Sequence, residues 1–473
     1  MTQVFGRERE KKLLEKTLEK EEAQLLAVYG RRRIGKTYLI TEYFKSKGFF
    51  FELTGILKGT KKEQLWNFSR ALTEAFDLKT PPPTQKTWQK AFSLLLENLK
   101  TIPEEKKVIL FIDELPWLMT PRSDLLRMLE HTWNRYLSRR KNLIMILCGS
   151  SASWMIKKIV HNRGGLYGRL TQKLHLEPFS LHETENYLKE KKNIVLDRKQ
   201  ITEIYMVTGG IAKYLDQVER GLSSEQIIQE LCFSKNGFLK DEFASLFSSL
   251  FDNSERHMSI VRAIGKSHKG LTLTQIAKEL GKGVSGHLSS AIADLEATGF
   301  IHFLPFFGKR KRDGLYRLID EYSLFYLSWM DGNTLNSNFK RSHKFISWTG
   351  YAFENICIKH AKQIIKSLEI SVVVKNLSYW TKPCDETPGA QADLIIERTD
   401  RCINLVEIKF CEDEFIMSQE YGRTLTRRRH LFYESLKSKR TVFNTLITSF
   451  GAAKTPAFLN AIDQQLKLDA LFS

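Results

Sequence analysis

Up to about residue 180, short unbroken apolar runs alternate with stretches whose apolar positions recur at helical spacing. Leu25 to Tyr29, Gly48 to Leu53, Val108 to Ile112 and Leu143 to Cys148 are the runs. A strand with one wet face reads as alternation, whereas an unbroken run suits a strand buried on both faces. With helices as crossovers, the pattern predicts an α/β domain built on a parallel sheet. Pro81-Pro82-Pro83 predicts a surface break between two of those helices. From about Ser180 to Cys232 the spacing is helical, punctuated by Thr208-Gly209-Gly210. Three further helical patterns and a pair of short apolar strands occupy 256–320. From about Trp348 the chain predicts a helix carrying Glu354, strands near 371–380, 392–397 and 403–410, and then helices.

Composition narrows the partners. Lys and Arg total 73 against 54 Asp and Glu, a formal charge of +19 that favours polyanions: nucleic acid, nucleotide phosphates or an acidic membrane surface. No run approaches the roughly 20 apolar residues that cross a bilayer, the first residues have no apolar stretch, and no basic amphipathic helix stands out. The six cysteines form no CxxC and are expected to be reduced thiols. A cytoplasmic protein without a membrane partner is the expectation.

Gly30-Arg31-Arg32-Arg33-Ile34-Gly35-Lys36-Thr37 fits GxxxxGK[ST], between a predicted strand and a predicted helix. Such glycines turn successive backbone N–H groups toward a polyphosphate, and the new helix presents its positive end. Lys36 is expected on the β- and γ-phosphates and the Thr37 hydroxyl on Mg²⁺. The strand at 108–112 delivers Asp113 and Glu114 at its C-terminal end, Asp113 for the Mg²⁺ shell and Glu114 to orient the attacking water. Gly30, Arg33, Gly35, Lys36, Thr37, Asp113 and Ser150 form the expected nucleotide set. Ser150 or Ser151 either senses the γ-phosphate or caps the next helix. Arg163 or Arg169 is a candidate arginine finger, supplied within the chain or by a neighbouring copy of a homo-oligomer. These residues suit ATP or GTP.

Phe5-Gly6-Arg7-Glu8-Arg9-Glu10, the Arg-rich loop, Asp113-Glu114, Tyr167-Gly168-Arg169-Leu170 and Thr208-Gly209-Gly210-Ile211 resemble the archaeal-type ATPase family, close to the AAA+ and STAND ATPases. The resemblance covers about residues 2–230. It implies ATP as the nucleotide, Phe5-Gly6-Arg7 near the adenine, and a helical lid after the sheet. The family often has proline after the Gly-Gly-Ile step, where Ala212 stands here.

Within 256–340, Leu271 to Leu280 and Val284 to Thr298 give two helices around a short turn, followed by strands flanking Gly308 to Gly314: the grammar of a winged helix-turn-helix. The second helix exposes Ser285, His287, Ser289 and Ser290, with little positive charge. Lys309-Arg310-Lys311-Arg312 at the strand turn can contact DNA phosphates without reading bases. The same element can also serve as a protein interface.

The last candidate chemistry is Glu354, Asp393, Glu407 and Lys409. A hairpin centred on Asp400 places Asp393, seven residues before, opposite Glu407, seven after, with Cβ atoms about 5 Å apart. Lys409 shares the face of Glu407. Facing carboxylates repel unless a divalent ion joins them, which suits phosphodiester hydrolysis. The arrangement resembles the PD-(D/E)xK nuclease fold over about 345–450, in the C-terminal domain often fused to archaeal-type ATPases. That implies a restriction-endonuclease-like domain, with Asp393 and Glu407 as ligands of Mg²⁺ or Mn²⁺, Lys409 as the catalytic lysine and Glu354 as the helix-borne acid. Ala392 stands where the naming proline would be.

The expected organisation is therefore an ATPase core at 1–178, a helical lid at 179–255, a winged helix at 256–340 and a nuclease-like domain at 341–473. Two functions follow: an ATPase whose nucleotide state controls DNA binding or cleavage, or a STAND-like switch whose last domain only binds DNA or a protein.

Overall fold

A computed structural model of the protein describes residues 4–161, 166, 168–332, 342–382 and 389–473. The chain forms two compact units, Met1–Pro178 with Leu246–Ser254, and Phe179–Ser245 with Glu255–Ser473.

In the first unit the apolar runs become β1 (Gln24–Tyr29), β2 (Phe49–Thr54), β3 (Val108–Asp113) and β4 (Leu143–Gly149), joined by a shorter β5 (Gln172–His175). They form one five-stranded sheet in the order β2-β3-β4-β1-β5, and every pairing is parallel. The parallel sheet expected from the sequence is present. All residues of β3 and β4 are buried, which is why these strands are unbroken apolar runs. Helices Lys61–Phe76 and Trp88–Leu99 start from threonine caps, Thr60 in a full capping box and Thr87 through its hydroxyl. Phe68, Trp88 and Phe92 interlock between them, with each pair of ring centroids 5.9 Å apart. Burying side chains of this size contributes about 1.5–3 kcal/mol each.

The second unit opens with helices, among them Arg198–Thr208 and Ser224–Cys232. Helices Ser254–Gly265, Leu273–Glu279 and Gly286–Ala297 then lead into an antiparallel hairpin of β6 (Ile301–Pro305) and β7 (Gly314–Leu318). The Lys309–Arg312 stretch is the hairpin's exposed connection. A five-stranded mixed sheet follows: β8 (Val374–Lys382), β9 (Ala390–Arg398), β10 (Cys402–Lys409), β11 (Thr441–Thr448) and β12 (Gln464–Lys467), in the order β12-β11-β10-β9-β8. The β8–β9 and β9–β10 pairings are antiparallel, and the β10–β11 and β11–β12 pairings are parallel. Helix His343–Lys359 precedes the sheet, and helix Gln419–Glu434 makes the β10–β11 crossover. The β9–β10 pairs from Ile403↔Glu397 to Val406↔Leu394 are symmetric about Asp400. The β6–β7 hairpin is tied to the edge of this sheet: Phe307 N donates to Tyr379 O at 2.8 Å, and the Phe307 ring meets Phe432 at 5.0 Å.

Among the described residues no helix is long and apolar enough to cross a membrane. Cys148, Cys232, Cys357, Cys402 and Cys411 are free thiols.

Candidate functional site

The loop between β1 and helix Lys36–Phe44 takes three positive φ angles, 147° at Gly30, 69° at Arg33 and 93° at Gly35. A Cβ on Gly30 would lie 2.2 Å from the Leu176 carbonyl oxygen, so only glycine fits there. Lys36 is buried, and its ammonium donates to the carbonyls of Gly30 (3.0 Å) and Arg31 (2.8 Å). These are neutral partners that a phosphate can replace. Arg7, in the left-handed region at φ 59°, reaches the Glu177 carbonyl at 2.8 Å and the Ile34 carbonyl at 3.3 Å. The Phe5-Gly6-Arg7 segment is thereby fastened against the loop's end.

Strand β4 lies between β1 and β3, which puts Ser150, just past its end, beside the acidic pair that ends β3. The Thr37 hydroxyl donates to Asp113 Oδ2 at 2.6 Å, and Asp113 Oδ1 accepts from Glu114 N at 2.9 Å. Glu114 itself stands at φ 46°. Its Oε2 accepts from both Ser150 N (3.0 Å) and Ser150 Oγ (2.8 Å). Burial raises the Glu114 pKa above the usual carboxylate value, against the opposing pull of Lys36 and the Ser150 hydrogen bonds. A hydroxyl and a carboxylate in contact are the hard oxygen donors that Mg²⁺ takes, so the residues present fit the ion as well as a polyphosphate. Ser150 thus faces Glu114, while Ser151 precedes helix Ala152–Met155 without a side-chain capping bond. Arg169 is exposed on a turn and makes none of these contacts; Arg163 lies outside the described residues.

The second constellation lies wholly in the second unit. Asp393 on β9 and Glu407 on β10 sit one step beyond the last ladder pair, where continued register sets them opposite each other. Asp393 Oδ2 accepts from Ile408 N at 3.3 Å. Lys409 Nζ lies 3.1 Å from Glu407 Oε1. The Tyr421 hydroxyl donates to the same oxygen, and Arg428 Nη1 to Glu407 Oε2. Glu354, on helix His343–Lys359, pairs with Arg317 of β7 at 2.9 Å. Three carboxylates therefore face three cations, Arg317, Lys409 and Arg428, each from a different element.

These contacts set the protonation of the group. Burial, then the charges of Glu407 and Glu354, push the Asp393 pKa well above its ordinary value. Burial also raises Glu354, against Arg317. For Glu407 burial acts in the same sense, but Arg428 and Lys409 outweigh it and hold its carboxyl below the usual range.

The divalent ion expected between Asp393 and Glu407 finds no prepared cage. Both Glu407 oxygens are engaged by Tyr421, Lys409 and Arg428, and no three His, Cys, Asp or Glu side chains among the described residues are disposed to hold a metal. The sequence reading missed Arg317, Tyr421 and Arg428. Arg428 fell within a basic stretch, Arg423 to His430, that gives no sign of which cation turns inward.

Known proteins similar to this chain are as follows. An uncharacterized protein of Methanocaldococcus jannaschii is 24% identical over 413 residues, 85% of this chain and 87% of that protein. Among solved structures, the Walker-type ATPase PABY2304 of Pyrococcus abyssi is similar with 18% identity and a TM-score of 0.49, over 69% of this chain and 96% of its own. The ORC2 protein of Aeropyrum pernix is similar with 14% identity and a TM-score of 0.43, over 76% and 96%. Residues 4–218, the segment that holds the loop and the acidic pair, match the model of a family described as an ATPase domain predominantly from Archaea.

Proposed function

We propose that the protein couples ATP hydrolysis in its first unit to DNA handling by its second, and that the second unit carries a phosphodiester-directed, nuclease-like site. The observation that carries the ATPase half is the chain of contacts Thr37–Asp113–Glu114–Ser150 beside a buried Lys36. Lys36 binds the β- and γ-phosphates, and Glu114 holds the attacking water in line. Thr37 and Asp113 would hold a Mg²⁺ ion, whose charge would offset that of the phosphate oxygens. Either Arg169 or Arg163 would supply a further cation.

For the second unit, support comes from the order helix, three antiparallel strands, crossover helix and parallel strand, with Asp393, Glu407 and Lys409 at neighbouring positions. The tetracationic β6–β7 connection adds a phosphate contact on the same unit. The ion-paired state of Glu407 favours a second reading, in which this unit only binds DNA or a protein partner under the control of the ATP state.

A cleavage screen on single-stranded, duplex and branched DNA, with and without ATP and with Mg²⁺ or Mn²⁺ added, decides between them. Cutting that disappears in Lys409→Ala supports the first reading. Absence of cutting on every substrate, with DNA binding retained, establishes the second. ATP hydrolysis that survives Lys36→Ala would overturn the loop assignment.

A further inference from the structure

The first unit carries a second concave site, at the end of the sheet opposite the phosphate-binding loop. Helices Trp88–Leu99 and Leu125–Arg135 both end there, beside the starts of β3 and β4. The six residues of β3 at about 3.3 Å each put it roughly 20 Å from Asp113. The cavity measures about 460 Å³. Leu96, Leu99 and Leu137 give it an apolar floor, and Lys100, Arg135, Tyr136 and Arg139 stand around it.

Its cations divide into two kinds. Arg140 is structural: it donates to the Leu99 and Ile102 carbonyls at 2.6 and 2.7 Å and to Asn142 Oδ1 at 2.9 Å, closing the end of helix Trp88–Leu99. Lys100, Arg135 and Arg139 are exposed, and no carboxylate pairs with them among the described residues. Tyr136 is 46% exposed, with the Arg135 guanidinium 5.8 Å above its ring. From the cavity, Arg135, His131 and Arg127 continue as an exposed row spaced four residues apart, about 6 Å per step along the helix axis. Arginines without a paired carboxylate, beside a half-exposed aromatic ring and an apolar floor, are what a chain of phosphates with attached bases requires.

We propose that this pocket binds a nucleotide unit of single-stranded nucleic acid, with phosphates on Arg135 and Arg139 and a base against Tyr136. The proposal goes beyond the reading of the second unit and does not depend on it, because none of its residues belongs to the β6–β7 hairpin or to the carboxylate group.

The experiment measures fluorescence anisotropy of a labelled mixed-sequence single-stranded oligonucleotide with the full chain, without ATP, across a salt series. Replacing Arg135 and Arg139 together by alanine should weaken binding at least tenfold and lower the salt slope by about 1.4, at about 0.7 per phosphate on a single strand. Tyr136→Ala should weaken binding about tenfold, and the double Arg→Lys replacement should retain most of the affinity. ATP hydrolysis should stay unchanged in all three, which certifies the fold. A 5-iodouracil strand should crosslink to the peptide containing Tyr136. Wild-type affinity and slope in both alanine variants overturn the pocket. Loss of all strand binding on replacing Lys309 to Arg312 by serine, with the pocket variants unaffected, overturns it and leaves the hairpin reading standing; the reverse result sinks the hairpin and keeps the pocket. Binding of adenosine monophosphate, lost in the pocket variants, with no binding of any strand also overturns it.

Discussion

Glu114 is the residue whose environment most directly predicts a rate. It must be ionised to hold a water for attack, yet burial raises its pKa, and the Ser150 hydroxyl is one of the groups pulling it back down. Ser150→Ala removes that donor and keeps the backbone one, so the acid limb of the pH–rate profile for ATP hydrolysis should move to higher pH, with the plateau rate little changed. An unmoved limb would mean that Glu114 does not set it. Asp393 makes the opposite kind of case, a stability cost. Its pKa is raised in the fold, so the folded chain binds the more protons between the ordinary carboxylate range and that raised value. Stability therefore falls as pH rises through that interval. Asp393→Asn removes the buried like charge while keeping an acceptor for Ile408 N, and should stabilise the protein by about 1 kcal/mol at pH 7. Thermal melts against pH check this, since the gain should fade toward pH 4. At this scale the sequence was informative wherever chemistry is carried by a compact motif: Lys36 and Thr37 follow from a spacing with few other uses. It was silent on Tyr421 and Arg428, whose contacts with Glu407 span 14 and 21 residues and follow no period.

At the scale of elements, the β9–β10 hairpin was legible and its surroundings were not. Two apolar runs around a polar turn fix a symmetric register, because slipping one residue would turn each strand's buried set to the wrong face. The order of strands in the first sheet has no such local signature. That β4 separates β1 from β3, and so brings Ser150 to Glu114, depends on how whole helices cross the sheet. The link from the β6–β7 hairpin to helix His343–Lys359 was equally invisible. Arg317 is 3% exposed and pairs with Glu354 across 37 residues of chain. Removing one member of a buried pair strands the other, whereas replacing both removes the burden. Arg317→Ala should thus destabilise the second unit by about 3 kcal/mol, and Arg317→Met with Glu354→Gln should recover most of the loss. Urea unfolding of the single and double variants measures the pair directly. Additive effects would show that the two side chains do not support each other.

For the whole molecule, the question is whether ATP and DNA act on one another. The chain crosses between the two units three times, so a change of state in one has covalent routes to the other. A formal charge of +19 favours polyanions of any kind, which makes DNA binding alone a weak test of coupling. Reciprocity is a stronger one. If ATP changes the affinity for DNA by some factor, DNA must change the affinity for ATP by that same factor. Glu114→Gln should hold ATP without consuming it, so both legs can be measured at equilibrium in one buffer at one salt concentration. The expected factor is about 5 to 150, equal in the two directions and absent with Lys36→Ala. Equal DNA affinity with ATP and with ADP would separate the two functions, leaving an ATPase domain and a DNA-binding unit that share a chain without sharing a switch.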